Sequence, residues 1–255
     1  MYNFSLFEPP PPTRYDLKFA IAQIPIRVHP LFWLVAILFG LSSGGIVQLV
    51  VWIAVVFVSI LVHELGHAFA FRLYGLGSQV VLHMAGGLTV PEPVLWGRSW
   101  VQVSLTPYQQ VVISLAGPAA GFLLATLAVV ASIAAGGTII ITRLFGIIPW
   151  FDVFIPGNGY LNLIVGTILW VNMFWGLINL APVYPLDGGN VARHVMTQLD
   201  PVSGMRKSLQ ISLVAGVVMA VVGLILFRST YITLLYGLLA YQSYVALRGY
   251  GGSLF

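Results

Sequence analysis

Apolar runs close to twenty residues long recur from one end of this 255-residue chain to the other. A helix needs about 20 consecutive apolar residues to cross a bilayer, and inside the bilayer each peptide group must find its hydrogen-bond partner within the protein. Such runs therefore predict an all-α polytopic membrane protein. About six transmembrane helices are expected, at 30–41, 47–73, 110–135, 160–180, 209–227 and 231–247. The first is short and could begin as early as Ile24.

Between the second and third spans, Gln79 to Val90 is rich in β-branched and apolar residues and is interrupted by Gly86-Gly87. It is expected to be a small membrane-associated β-hairpin turning at the two glycines. The stretch 136–159, where Gly and Pro alternate with apolar residues, is expected to be a loop with a short interfacial helix. Residues 1–28, with Pro9 to Pro12 and the charges of Arg14, Asp16 and Lys18, lack the form of a cleaved signal and are expected to be a leader on the membrane surface. Residues 29–255 then make one membrane domain.

With 59% hydrophobic and 7% charged residues, against roughly a quarter charged in soluble domains, a soluble fold is excluded. The net charge of +4 is spread singly between apolar segments, so it orients the chain in a membrane rather than binding nucleic acid. With six spans and the amino terminus inside, nine basic residues (Arg14, Lys18, Arg27, Arg72, Arg98, Arg193, Arg206, Lys207, Arg248) fall on the cytoplasmic side, and Arg143 and Arg228 fall outside. That count predicts a multi-pass protein of the cell membrane with a cytoplasmic amino terminus. The absence of cysteine removes thiolate metal ligands and cysteine nucleophiles together.

The second span contains His63-Glu64-Leu65-Gly66-His67. Histidines four apart project from one helical face and can both reach one zinc ion, with the glutamate between them beside the position of a reacting water. With five His and three Glu in the chain, this pattern arises by chance on the order of 0.001 times. Ionisable groups in a membrane helix are costly and mark function. A purely structural polar knot would need a cation beside Glu64, and no nearby helix residue supplies one.

Zinc requires a third protein ligand, and the other acids are few. Glu8 and Asp16 lie in the leader, Glu92 follows the hairpin, Asp152 falls in the Gly/Pro stretch and Asp200 precedes a proline between spans. Asp187 alone follows directly on a membrane helix, in Asn179-Leu180-Ala181-Pro182-Val183-Tyr184-Pro185-Leu186-Asp187-Gly188-Gly189. Its prolines and glycines predict unwound backbone, tolerated at membrane depth only where it is buried or lines a wet cavity. Asp187 is the expected third ligand; its other reading is a helix N-cap. His29, His83 and His194 are expected to be satisfied polar residues.

HELGH at 63–67, Gly117-Pro118-Ala119-Ala120-Gly121 and NLAPVYPLDGG at 179–189 together resemble the site-2 protease family of intramembrane zinc metalloproteases. The phrase Ile24 to Pro30 and the hairpin's Ala85-Gly86-Gly87 resemble the branch with six spans and no PDZ or CBS domain. The resemblance implies that one Zn2+ is held by His63, His67 and Asp187 and that Glu64 is the general base. It further implies that Asn179 helps hold substrate or oxyanion, and that Gly86 and Gly87 lie in the hairpin receiving an unwound substrate strand. Two positions depart from the family pattern: Gly121 stands where many members have Asn, and Asn190 where many have Arg.

The expected activity is hydrolysis of peptide bonds in or near the spans of single-pass membrane proteins, with a regulatory membrane partner controlling access. Counting from Arg72, at the end of its span, His63 lies roughly 14 Å deep at 1.5 Å per residue, which makes the cytoplasm the nearer source of water. A small-residue pair, Gly117 and Gly121, is expected to allow close helix packing. The alternative is an inactive homologue acting as a substrate-binding or metal-sensing scaffold, for which Glu64 would be unnecessary.

Overall fold

The computed structural model describes residues 9–92, 94–96, 99–101, 104–144 and 148–251. These form two compact units, the first drawn from Met1–Ser104, Ala116–Thr142 and Phe151–Gly176, the second from Leu105–Leu115, Arg143–Trp150 and Leu177–Phe255.

In the first unit the segment expected to be a leader folds as β1 (Leu17–Ile21) and β2 (Ile24–Val28). Their two-residue turn places Ala22 and Gln23 at φ 46 and 65, the left-handed pair that matches the twist of a hairpin. Pro30 follows at the first position of α1 (Pro30–Gly40), and His29 caps that helix by accepting a hydrogen bond from the Leu31 N–H at Nδ1. The chain then enters α2 (Ile46–Leu73), β3 (Ser78–His83) and β4 (Gly86–Pro91).

The four strands make one sheet in the order β1-β2-β3-β4. β2 and β3 run parallel, Ile26 opposite Val80 and Val28 opposite Leu82, and parallel neighbours need a long crossover. Here the crossover is the α1–α2 hairpin, fastened where the Trp52 indole donates to the Ala36 carbonyl at 3.1 Å. Because β2 and β3 hydrogen-bond, the chain that leaves along α1 returns along α2 to the same level. Strict alternation buries Ile24, Ile26 and Val28, which join Val80 and Leu82 against Ile60, Leu61, Leu65 and Ala68 of α2 and Phe32 of α1.

The hairpin between α2 and α3 is present, but its glycines do not make the turn. Met84 and Ala85 make it, and Gly86 and Gly87 open β4 opposite His83 and Leu82. A short pair, β5 (Val94–Trp96) and β6 (Ser99–Val101), precedes α3 (Pro107–Ala134). Where a loop and short helix are expected, the structure has a two-stranded sheet of β7 (Thr138–Leu144) and β8 (Ile148–Phe154). The run Thr138-Ile139-Ile140-Ile141-Thr142 is β-branched throughout, which suits extended backbone better than helix. Val153 and Ile155 pack with Ala125, Val165 and Leu169.

The next rod, α4 (Gly159–Leu169), passes through a π-helical turn at Trp170–Phe174 into α5 (Trp175–Asn179). Within the wide turn, Asn172 donates from Nδ2 to the Ser59 hydroxyl at 2.9 Å and to the Ile168 carbonyl at 2.8 Å. Its Oδ1 would lie 3.4 Å from a Cβ added at Gly121. The polar group absent from position 121 thus has a counterpart supplied from the facing helix.

The second unit holds α6 (Asp187–Leu199), α7 (Gly204–Ile225) and α8 (Thr230–Gly251). Close approach of α7 and α8 depends on Gly216 and Gly223, whose added Cβ atoms would come within 3.0 Å of Ala240 and 2.7 Å of Ile232. Small residues of this kind let membrane helices meet.

Four helices among the described residues are long and apolar enough to span: Ile46–Leu73, Pro107–Ala134, Gly159–Asn179 and Gly204–Ile225. The protein is a polytopic membrane protein. α1, with 11 residues, covers only about 16 Å. α8 has the length, but Gln242, Ser243 and five tyrosines dilute its apolar character.

Candidate metal centre

His63, Glu64 and His67 are 6, 5 and 7% exposed, so these three ionisable groups of α2 are withdrawn together from lipid and water. The one-turn spacing brings the two imidazole Nε2 atoms to 3.2 Å with the rings nearly perpendicular. Two nitrogens bound at about 2.0–2.1 Å to one tetrahedral ion would stand roughly 3.3 Å apart, so the donor pair fits zinc. Asp187, the expected third ligand, belongs to the second unit.

The backbone of α3 closes over the pair. A Cβ at Gly117 would stand 2.2 Å from His67 Nε2 and 2.8 Å from His63 Nε2, and one at Gly66 would stand 2.4 Å from the Ala116 carbonyl oxygen. Gly117 therefore serves close packing as expected, and what it packs against is the imidazoles themselves.

Glu64 is cradled by β4. Alternation puts Gly87 and Thr89 on one face of that strand. A Cβ at Gly87 would lie 2.3 Å from Glu64 Cγ and 2.4 Å from Oε1. Thr89 Oγ1 lies 2.7 Å from Glu64 Oε2 and 3.0 Å from the Glu64 carbonyl oxygen. Thr89 is absent from the expected site residues; its one sequence signal is a hydroxyl two positions beyond Gly87.

Asp187 is the first residue of α6, and Leu186, not Asp187, takes the N-cap position. Its loop is held from both sides. The Tyr184 N–H donates to the Ser212 hydroxyl at 2.8 Å, Ser212 meets the Ser243 hydroxyl at 2.7 Å, and the Tyr236 hydroxyl donates to the Ile178 carbonyl at 2.9 Å. Gly188 and Gly189 are required by proximity, since their Cβ atoms would come within 2.1 Å of the Leu180 carbonyl oxygen and 2.3 Å of the Tyr184 nitrogen. Asn190 closes the loop by donating to the Pro185 carbonyl at 3.1 Å.

Asn179 ends α5 and is buried. Gly86 adopts φ 120 beside Trp175. His83 is buried, its Nδ1 facing the Ala85 N–H at 3.4 Å, and burial followed by the charges of His29 and Arg27 pulls its pKa below the ordinary value. Burial followed by the Arg193 charge lowers His194 in the same direction. Asp152 accepts from the Val153 N–H at 2.8 Å.

The family model of peptidase family M50 matches residues 51–223. The chain is 28% identical over 190 residues to a protein named as a zinc metalloprotease of Methanocaldococcus jannaschii, across 72% of this chain and 46% of that protein. A relative from Synechocystis sp. is 29% identical over 190 residues, across 69% of this chain and 42% of that protein. The chain thus spans less than half the length of the curated relatives it matches. Among solved structures, the site-2 protease from Methanocaldococcus jannaschii superposes with a TM-score of 0.53 at 22% identity, covering 91% of this chain and 95% of that one; this likeness is one of fold.

Proposed function

The chain belongs to peptidase family M50, and from that premise we propose that it is an intramembrane zinc endopeptidase cutting single-pass membrane proteins in or near their spans. The observation that carries the reading is the buried face of α2, where two imidazoles whose Nε2 atoms are 3.2 Å apart are accompanied, on the same helical turn, by the buried carboxylate of Glu64. A site that only stored metal would have no use for Glu64.

His63, His67 and Asp187 would hold the ion. Bound there, zinc supplies Lewis acidity toward water and toward the scissile carbonyl. Glu64 takes one proton from the attacking water as the new C–O bond forms, and returns it to the amide nitrogen as the C–N bond breaks. The Asn179 amide donates to the carbonyl oxygen while negative charge builds there.

A helical substrate must unwind before attack, because its carbonyls are engaged in internal hydrogen bonds. β4 is an edge strand of the sheet, and pairing of the unwound segment with it replaces bonds lost on unwinding; Gly86 and Gly87 stand at the start of that edge. The remaining elements of the proposal are six crossings of the cell membrane, a cytoplasmic amino terminus, and a membrane partner that regulates entry of substrate in regulated intramembrane proteolysis. Co-expression with a membrane-anchored regulator, comparing the parent with Glu64→Gln, tests the reading. Release of the fragment by the parent alone is the expected result, and equal release by both would overturn it.

A further inference from the structure

A carboxylate that must receive a proton and return it works best when one oxygen is held and the other is left for the transfer. Glu64 has that asymmetry. Oε2 lies 2.7 Å from the Thr89 hydroxyl, whereas among the described residues Oε1 accepts no hydrogen bond and rests over the bare Cα of Gly87. An ionised carboxylate only accepts, and the threonine hydroxyl brings a single proton. Of its two acceptors, Oε2 at 2.7 Å and the Glu64 carbonyl at 3.0 Å, the charged and nearer Oε2 makes the stronger bond. The carbonyl belongs to the α2 backbone, so it contributes to fastening the strand against the helix.

We propose that Thr89 is a positioning residue for proton transfer: its hydroxyl holds Oε2 of Glu64 and so fixes Oε1 as the oxygen that takes the proton from water and passes it to the leaving amine. This rests on the protease reading and deepens it. β4 thereby has two duties on its two sides, an open edge toward substrate and a face that sets the base. Gly87 and Thr89 act as a pair, since the missing side chain at 87 makes room for Oε1 and the hydroxyl at 89 pins Oε2.

The test uses the full-length protein in detergent with a single-span reporter whose apolar helix is interrupted by a proline. Thr89→Val keeps the shape and removes the hydroxyl; Thr89→Ser keeps the hydroxyl and removes the methyl group. Zinc content, KM and kcat are measured for each. A misdirected base is expected to lower kcat by about ten- to a hundredfold in Thr89→Val, with KM and zinc content unchanged, and Thr89→Ser is expected to recover most of the rate. Parental kcat in Thr89→Val overturns the inference and leaves the protease reading standing. Loss of zinc or of folded protein in both variants also overturns it, because it assigns the residue to packing. Parental cleavage by Glu64→Gln overturns the protease reading and this inference together.

Discussion

Gly117 of α3 lies so close to His67 of α2 that a single added methyl group would stand 2.2 Å from the imidazole Nε2. The contact is with the atom that carries the proposed ligand function, so the tolerance of position 117 measures how tightly the imidazole pair is enclosed.

Gly117→Ala is therefore expected to reduce zinc affinity by at least about tenfold, the lower range seen when support of a ligand is disturbed. Gly121→Ala, whose Cβ would find 3.4 Å to Asn172 Oδ1, is expected to retain zinc. Metal titration of the two purified variants checks the pair, and equal affinities would show that α3 can shift away at no cost.

Gly87→Ala introduces a methyl group 2.3 Å from Glu64 Cγ, and the three nearest atoms it meets all belong to Glu64. The expected outcome is a fall of about tenfold or more in kcat with zinc content preserved. Metal analysis beside reporter cleavage separates this from a loss of the metal.

Ser212→Ala removes the acceptor of the Tyr184 N–H and the partner of Ser243. Thermal unfolding in detergent should show a loss of about 1–2 kcal/mol. The double variant with Ser243→Ala should lose less than the sum of the single losses, because both belong to one network.

Acid sensitivity should appear at the β1–β2 hairpin. Burial raises the Asp16 pKa, but hydrogen bonds from Thr13 and Arg27 and the Arg27 charge outweigh it and bring the group from 3.8 to about 2. Between those values the unfolded chain holds more protons than the folded one, so the contribution is complete above pH 3.8 and fades as pH falls through about 2. Amide exchange of β1 and β2 should accelerate over that window in the parent, and Asp16→Asn should remove the dependence.

The chemistry was more legible in the chain than the architecture around it. His63, Glu64 and His67 stand out because a spacing of four is meaningful where histidine is rare, and Asp187 because seven acids leave few choices. Residues 24–28 conceal their alternation, since Ile24, Ile26 and Val28 precede an apolar helix and read as its extension. Thr138 to Leu144 hide as a strand because glycines and prolines flank them. Thr89 could not be found from spacing at all: its meaning comes from the sheet register that turns it toward α2.

The parallel pairing of β2 with β3 also fixes an order of events during biosynthesis. Residues 29–77, including both helices of the first hairpin, separate the two strands. The earlier strand is made with Ile24, Ile26 and Val28 uncovered, and these side chains find their partners only once α2 and β3 have followed. Closure of the sheet is thus conditional on the helical hairpin between the two strands: a chain in which β3 does not return beside β2 cannot set β4, the strand that cradles Glu64, in its place.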